Sequence, residues 1–311
     1  GAPFGVGSDT GGSVRIPAGF CGIVSHKPTG GTVPATGHYP HAPRGIETMM
    51  QLGPMARSVA DLELLLAVLS GPDGVDETCV RQFRPERIEL SEVRVVAMPT
   101  NGVFRPTREV AAAVHTAAAT LRERGARIVD YDGPSLTRGF EWWAALLATS
   151  GERYEDLVGG GRRPRLRREL SAWPFGRSRH SGGVLAMLTL ERLAGVVPEK
   201  RALVEEARAT RDALDGALGD HTVLLHPVYA RTAPRHRAIA LRDPRDVAAT
   251  ALFNVTESPV TVVPVATGRG GLPIGVQVVG ARGRDALTLA VARALEESHG
   301  TPDAIDPRRR P

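Results

Sequence analysis

Lysine is nearly absent from this chain: Lys27 and Lys200 are the only two among 39 basic residues. A reaction that needs a lysine base therefore has two candidates and no more. Cysteine is as scarce, with Cys21 and Cys79 alone. Two isolated cysteines without a CxxC pair exclude a disulfide framework and a thiolate zinc site, and such usage reads as cytoplasmic. Aromatics are 5% of residues, too few for an aromatic-rich binding module. No apolar run approaches the ~20 residues of a membrane span. The net charge of +5 and pI of 9.7 come from arginine. Those arginines are scattered, with runs at 162–168 and 308–310 and no interleaved aromatics, which speaks against a nucleic-acid partner. The first residue is Gly1, so the sequence leaves any leader segment open.

What is present suffices for a large core: 311 residues, 42% of them hydrophobic. Residues 58–70 predict a helix with a Ser58/Asp61 capping box, a Leu62, Leu65, Leu66, Leu69 stripe and a stop at Gly71. A strand is predicted at 93–99, a helix from Thr107 through Arg124, and a strand at 126–132. Residues 133–183 read as irregularly joined helical pieces and 186–218 as helix. A strand is predicted at 222–228, two strands across a Gly-rich loop at 260–280, and an amphipathic helix at 285–298. The alternation predicts an α/β layer fold. With no Gly/Ser linker, residues 1–300 read as one domain, and the Pro/Arg-rich tail from Thr301 as disordered.

The stretch "GSDTGGSVRIPAGFCG" (7–22) needs a chemical explanation. A dinucleotide fingerprint fails because Gly11 falls one residue late, and a P-loop fails because no lysine is near. A G-x-S-x-G elbow fails because Arg15 stands where its second glycine would. A different serine nucleophile fits. Gly11 and Gly12 leave room for a carbonyl to approach, and Thr10, Gly11, Gly12 and Ser13 offer successive N–H donors beside the Ser13 hydroxyl. A Gly-Gly-Ser turn with no chemistry is the plain alternative. Ser13–Cys21 reads as a short helix ended by Gly22.

"GSDTGGSVRIPAGFCGIVSHKPTGG" resembles the core of the amidase signature family. "LGPMARSVADLELLLAVLSGPDG" (52–74) and "FNVTESPVTVVPVATGRGGLPIGVQVVG" (253–280) resemble further family blocks, so the likeness brackets nearly the whole chain. "GHYP" (37–40), "SGPDG" and "FNVTESPVTVVPV" lean toward the fatty-acid-amide-hydrolase-like branch and away from the amidotransferase A subunit. The resemblance implies a mixed twisted β-sheet covered by helices on both faces. It implies hydrolysis of small-molecule amides through an acyl-serine, using a serine nucleophile, a second serine in a cis peptide and a lysine base. Ser13 matches the nucleophile; Ser8 and Asp9 match positions that shape the loop, and Arg15 a structural one. No metal or cofactor is implied, and a homodimer is compatible. His26 departs from the pattern, in "SHKPT" where the family has Gly-Leu before Lys-Pro-Thr.

In the family, the lysine and the bridging serine precede the nucleophile. Here twelve residues precede Ser13, with Ser8 their only serine, and Lys27 matches the non-catalytic lysine of Lys-Pro-Thr. The expectation is an N-terminally truncated amidase, inactive alone. The alternatives are a non-catalytic relic or binding module and, third, an amidotransferase subunit. His38, His41, His226 and His236 are too dispersed to ligate a metal. His226 and Tyr229 sit where a strand-end loop can reach a pocket. One of Trp142 and Trp143 belongs to the core, and Cys21 reads as a buried structural thiol.

Overall fold

A computed structural model describes residues 2–39, 41, 45–149, 154–158, 163–194, 200–235 and 244–300. The tail from residue 301 and His236 lie outside the described residues. The strands are β1 (Phe4–Asp9), β2 (Val24–Lys27), β3 (Gln51–Ala56), β4 (Arg94–Ala97), β5 (Arg127–Ile128), β6 (Thr222–Pro227), β7 (Val260–Thr267) and β8 (Pro273–Val279). The helices are α1 (Arg15–Cys21), α2 (Val59–Leu69), α3 (Arg108–Glu123), α4 (Gly139–Thr149), α5 (Tyr154–Val158), α6 (Leu166–Ala172), α7 (Gly182–Ala194), α8 (Lys200–Leu218), α9 (Ala248–Val255) and α10 (Asp285–His299). The strands form one eight-stranded sheet in the order β1-β3-β2-β7-β8-β6-β4-β5. It is mixed: β4 runs parallel to β5 and β6, and the other pairs are antiparallel.

Strand alternation sends successive side chains to opposite faces, and the sheet is buried on both. Val223, Leu225, Val95, Val276 and Val278 meet Leu62, Leu66, Leu121, Leu287 and Leu295 on one side. On the other, Leu224, Val96, Val279 and Val260 meet Trp142, Trp143, Leu214, Leu252 and Phe253. Both tryptophans are therefore core residues. The Ser58 hydroxyl accepts the Asp61 N–H and starts α2, where the sequence placed its cap. β5 is shorter than the predicted 126–132 strand: it lies at the sheet edge with only β4 beside it, and both its residues are exposed.

Three strands escaped the sequence. β1 contains Gly5 and Gly7, β3 contains Gly53 and Pro54, and β2 has four residues, so none shows a clean apolar period. The β2–β3 ladder ends at Met55, one residue short of Pro54, which has no N–H to give. A β-carbon on Gly53 would meet the His26 carbonyl at 2.1 Å, so glycine lets these backbones close up.

Candidate active site

β1 delivers the chain into the Thr10–Val14 turn, and α1 carries it away. Ser13 is exposed at that turn. Behind it lies a fully buried ion pair, Asp9 with Arg15. All five guanidinium donors of Arg15 are used. Nε and Nη2 meet the two oxygens of Asp9 at 3.0 and 2.9 Å. Nη1 donates to the Thr250 carbonyl at 2.9 Å and to Gln277 Oε1 at 2.8 Å, and Nη2 donates to Asn254 Oδ1. Burial alone would raise the Asp9 carboxyl. The charge and hydrogen bonds of Arg15, then the Lys27 charge and Asn254, outweigh it and hold the group at about 2.

Four successive carbonyls of this turn are gripped from the protein side. Asp9 O accepts from Asn254 Nδ2 at 2.8 Å, Thr10 O from Trp143 Nε1 at 2.8 Å, and Gly11 O from Thr250 Oγ1 at 2.7 Å. Gly12 O accepts the Ile16 N–H at 2.8 Å. In a trans peptide the following N–H points opposite to the carbonyl. Anchoring Asp9, Thr10 and Gly12 thus turns the Thr10, Gly11 and Ser13 amides away from those grips, and no described residue accepts them. The Gly12 amide differs: it donates to Asp9 Oδ1 at 2.7 Å. Of the four donors read from the sequence, this one is engaged within the loop. Gly12 supplies space and a φ of 122° instead.

The partners that hold the loop come from far away in sequence. Thr250 and Asn254 stand at i and i+4 on α9, one face of a helix whose other residues in 248–255 are apolar. Gln277 on β8 orients Arg15 while its own amide donates to Pro227 O and Ala249 O at 2.7 and 2.9 Å. None of the three was singled out from sequence. Two polar residues one turn apart in "AATALFNV" are the signal that could have found Thr250 and Asn254.

Other candidates fall elsewhere. Ser8 is a half-buried residue of β1, paired across the ladder with Leu52. His226 lies within β6, fully buried between Phe104 and Phe253, with its Nε2 unpartnered among the described residues. Burial pushes it down to about 4. It is a core residue, because β6 is covered on both faces. Tyr229 is buried and lines a small cleft of about 10 Å³ with Phe20 and Val228. Cys21 corrects the sequence reading: it is exposed. Helix α1 buries Arg15, Ala18 and Gly19, a single face, and Pro17 and Cys21 fall on the opposite one. Lys27 is buried, with Nζ donating to the Pro28 carbonyl at 3.1 Å. Burial, then repulsion from Arg15, push it down to about 7 against the pull of Asp9, Asp285 and Glu257. Among the described residues no group of three His, Cys, Asp or Glu is placed to hold a metal, and no helix is long and apolar enough to cross a membrane.

Comparison with known proteins gives this geometry a context. The Amidase family model matches residues 1–289. Fatty-acid amide hydrolase 2 of Homo sapiens is 31% identical over 313 residues, covering 96% of this chain and 57% of its own length. An enantioselective amidase of Rhodococcus rhodochrous is 34% identical, covering 95% of this chain and 60% of its own length. The solved structure of 6-aminohexanoate cyclic dimer hydrolase superposes with a TM-score of 0.72 at 26% identity, over 96% of this chain and 65% of that one. The chain thus spans less than two thirds of the length of these relatives.

Proposed function

The chain belongs to the amidase family, and on that premise we propose that Ser13 is the nucleophile of an amide hydrolysis passing through an acyl-serine ester. The observation that carries the reading is the ordering of the turn. An exposed hydroxyl stands beside amides whose preceding carbonyls are gripped from behind. Ser13 Oγ attacks the amide carbon and gives up its proton to a base. The carbonyl oxygen becomes an oxyanion facing the Thr10, Gly11 and Ser13 amides, each such donor being worth roughly 3–4 kcal/mol in acyl transfer. Collapse breaks the C–N bond, and the departing amine takes the proton. Water then cleaves the ester, releasing the acid and restoring the Ser13 hydroxyl. The names of the relatives, a fatty-acid amide hydrolase, an enantioselective amidase and a cyclic amide hydrolase, support small carboxylic amides as the substrate class.

The scheme needs a base. Lys27 is buried on its own carbonyl contact and stands at the Lys-Pro-Thr position, and Lys200 opens α8. We therefore expect the 311 residues alone to turn over amides slowly or not at all, since losing a triad's base costs several orders of magnitude. A fluorophosphonate probe followed by peptide mapping tests the reading. Added upstream coding sequence is expected to bring labelling at Ser13, absent in Ser13→Ala, together with aryl-amide turnover. Labelling of another residue would overturn the nucleophile. Robust turnover by the short chain, abolished by Ser13→Ala, would overturn the missing base.

A further inference from the structure

Among the described residues, one side chain other than glycine sits at a positive φ: Glu257, at 54°. It stands one residue past Thr256, the cap of α9. Helices commonly end there in the left-handed conformation, which glycine adopts without steric cost. A glutamate β-carbon disfavours it. The fold keeps Glu257 against that local preference, and the reason lies in its side chain. Oε1 accepts the Thr48 hydroxyl at 3.0 Å and, from α8, Arg211 Nη1 at 3.0 Å. Arg282, beyond β8, brings a second positive charge to 3.9 Å from Oε2. Gly30 makes the room: a β-carbon on it would stand 3.0 Å from Oε2 and 3.1 Å from the Glu257 β-carbon. The backbone is bonded as well. Gly30 N–H donates to the Glu257 carbonyl at 3.1 Å, and Glu257 N–H to the Asn254 carbonyl at 3.0 Å. A glycine at 257 would keep both backbone bonds. The Thr48 and Arg211 bonds need the carboxylate.

Thr48 leads from that carboxylate to the serine turn. It lies in a tight turn in which the Met49 and Met50 amides both donate to the Ile46 carbonyl, at 3.0 and 3.3 Å. The next carbonyl, Met49 O, accepts Asn254 Nδ2 at 3.1 Å. The same amide nitrogen reaches Asp9 O at 2.8 Å and Asp9 Oδ1 at 3.0 Å. Its two hydrogens serve three acceptors, so the position of Met49 O fixes how the amide is shared with Asp9. We propose that Glu257 is a positioning residue for the serine turn. Its carboxylate pins Thr48, the pinned turn places the Met49 carbonyl, and that carbonyl orients the Asn254 amide on Asp9. Arg211 holds the carboxylate from α8, which joins that helix, the 46–50 turn and the end of α9 at one group. The effect on catalysis rests on the reading of Ser13 as nucleophile. The link from Glu257 to Asp9 does not.

The Trp143 indole, which donates to Thr10 O at 2.8 Å, reports the turn without any chemistry. Proton–nitrogen NMR of the 311-residue chain contains three indole signals, and Trp143→Phe identifies the relevant one. Glu257→Gly removes the carboxylate and suits the backbone, and the Trp143 signal is expected to shift. Glu257→Gln keeps an oxygen for Thr48 and is expected to leave the signal near the parent position. Thr48→Val removes the donor while Glu257 stays. It should shift the signal the same way, with nothing added in the double variant. An unmoved indole in Glu257→Gly overturns the proposal, and so does a Glu257→Gln shift as large as that of Glu257→Gly. If Glu257→Gly fails to fold, an unmoved indole in Thr48→Val overturns it equally. In the protein carrying added upstream coding sequence, phosphonate labelling of Ser13 is expected to slow about tenfold in Glu257→Gly and Thr48→Val, and Glu257→Gln to restore most of the rate. Unchanged labelling in both overturns the positioning role. A parent that labels at another residue, with a responsive indole, supports the link to the turn and overturns the nucleophile instead.

Discussion

The Thr250 hydroxyl, which donates to the Gly11 carbonyl at 2.7 Å, stands 2.3 Å from the point a β-carbon on Gly12 would occupy. Each residue therefore dictates the other. Gly12 also holds a φ of 122°, a conformation L side chains rarely adopt. Gly12→Ala is expected to destabilise by about 1–3 kcal/mol and, in the protein carrying added upstream coding sequence, to prevent phosphonate labelling of Ser13. Thr250→Val keeps the volume, orphans the Gly11 carbonyl and should cost about 1–3 kcal/mol. Urea melts measure both, and a Gly12→Ala midpoint equal to the parent's would contradict this packing.

Breaking the Asp9–Arg15 pair should be costlier. Arg15→Leu leaves a buried carboxylate with no counter-charge, a loss of about 3–5 kcal/mol. The Asp9 carboxyl titrates at about 2 against an ordinary 3.8. Its contribution is complete above pH 3.8 and is lost as pH falls through 2. Acid unfolding of Asp9→Asn is expected to lack that component, which a comparison of stability against pH between the two chains would reveal.

His226 governs a milder acid range. In the folded chain it titrates near 4, against an ordinary 6.5. Between those values the unfolded chain binds more protons, so stability falls as pH drops from 6.5 to 4. His226→Leu should flatten thermal midpoints across that window. An unchanged slope would mean that the ring reaches solvent.

Lys27 acts at the alkaline end. Folding lowers it from 10.5 to about 7, so the unfolded chain is the better proton binder between them, and stability rises with pH across that interval. Below pH 7 the cost of burying its charge is fully present. Lys27→Met is expected to raise the melting midpoint below pH 7 and to remove the alkaline rise. A lower midpoint at every pH would show that its electrostatic attraction to Asp9, Asp285 and Glu257 outweighs its desolvation.

What the sequence determined by itself is local. Ser58, Gly22 and the apolar stripes carry their own geometric meaning, so the bounds of α1, α2, α3 and α10 and the β7–β8 pair could be read from neighbours in the chain. The small residues at 10–13 likewise announced a turn built of backbone around Ser13. Tertiary structure decided the rest. Strands β1 and β3 form where Gly5, Gly7, Gly53 and Pro54 obscure any period, and β2 is too short to show one, because their stability comes from partners rather than from pattern. The Thr10, Gly11 and Asp9 carbonyls of the turn are held by Trp143, Thr250 and Asn254, which lie 133, 239 and 245 residues away. The Gly12 amide is withdrawn by a buried Asp9, and the His26 ring is held between Thr261 and Asp285. Hydrogen-bond direction depends on which acceptor is left unspent, and only the assembled fold brings those acceptors together.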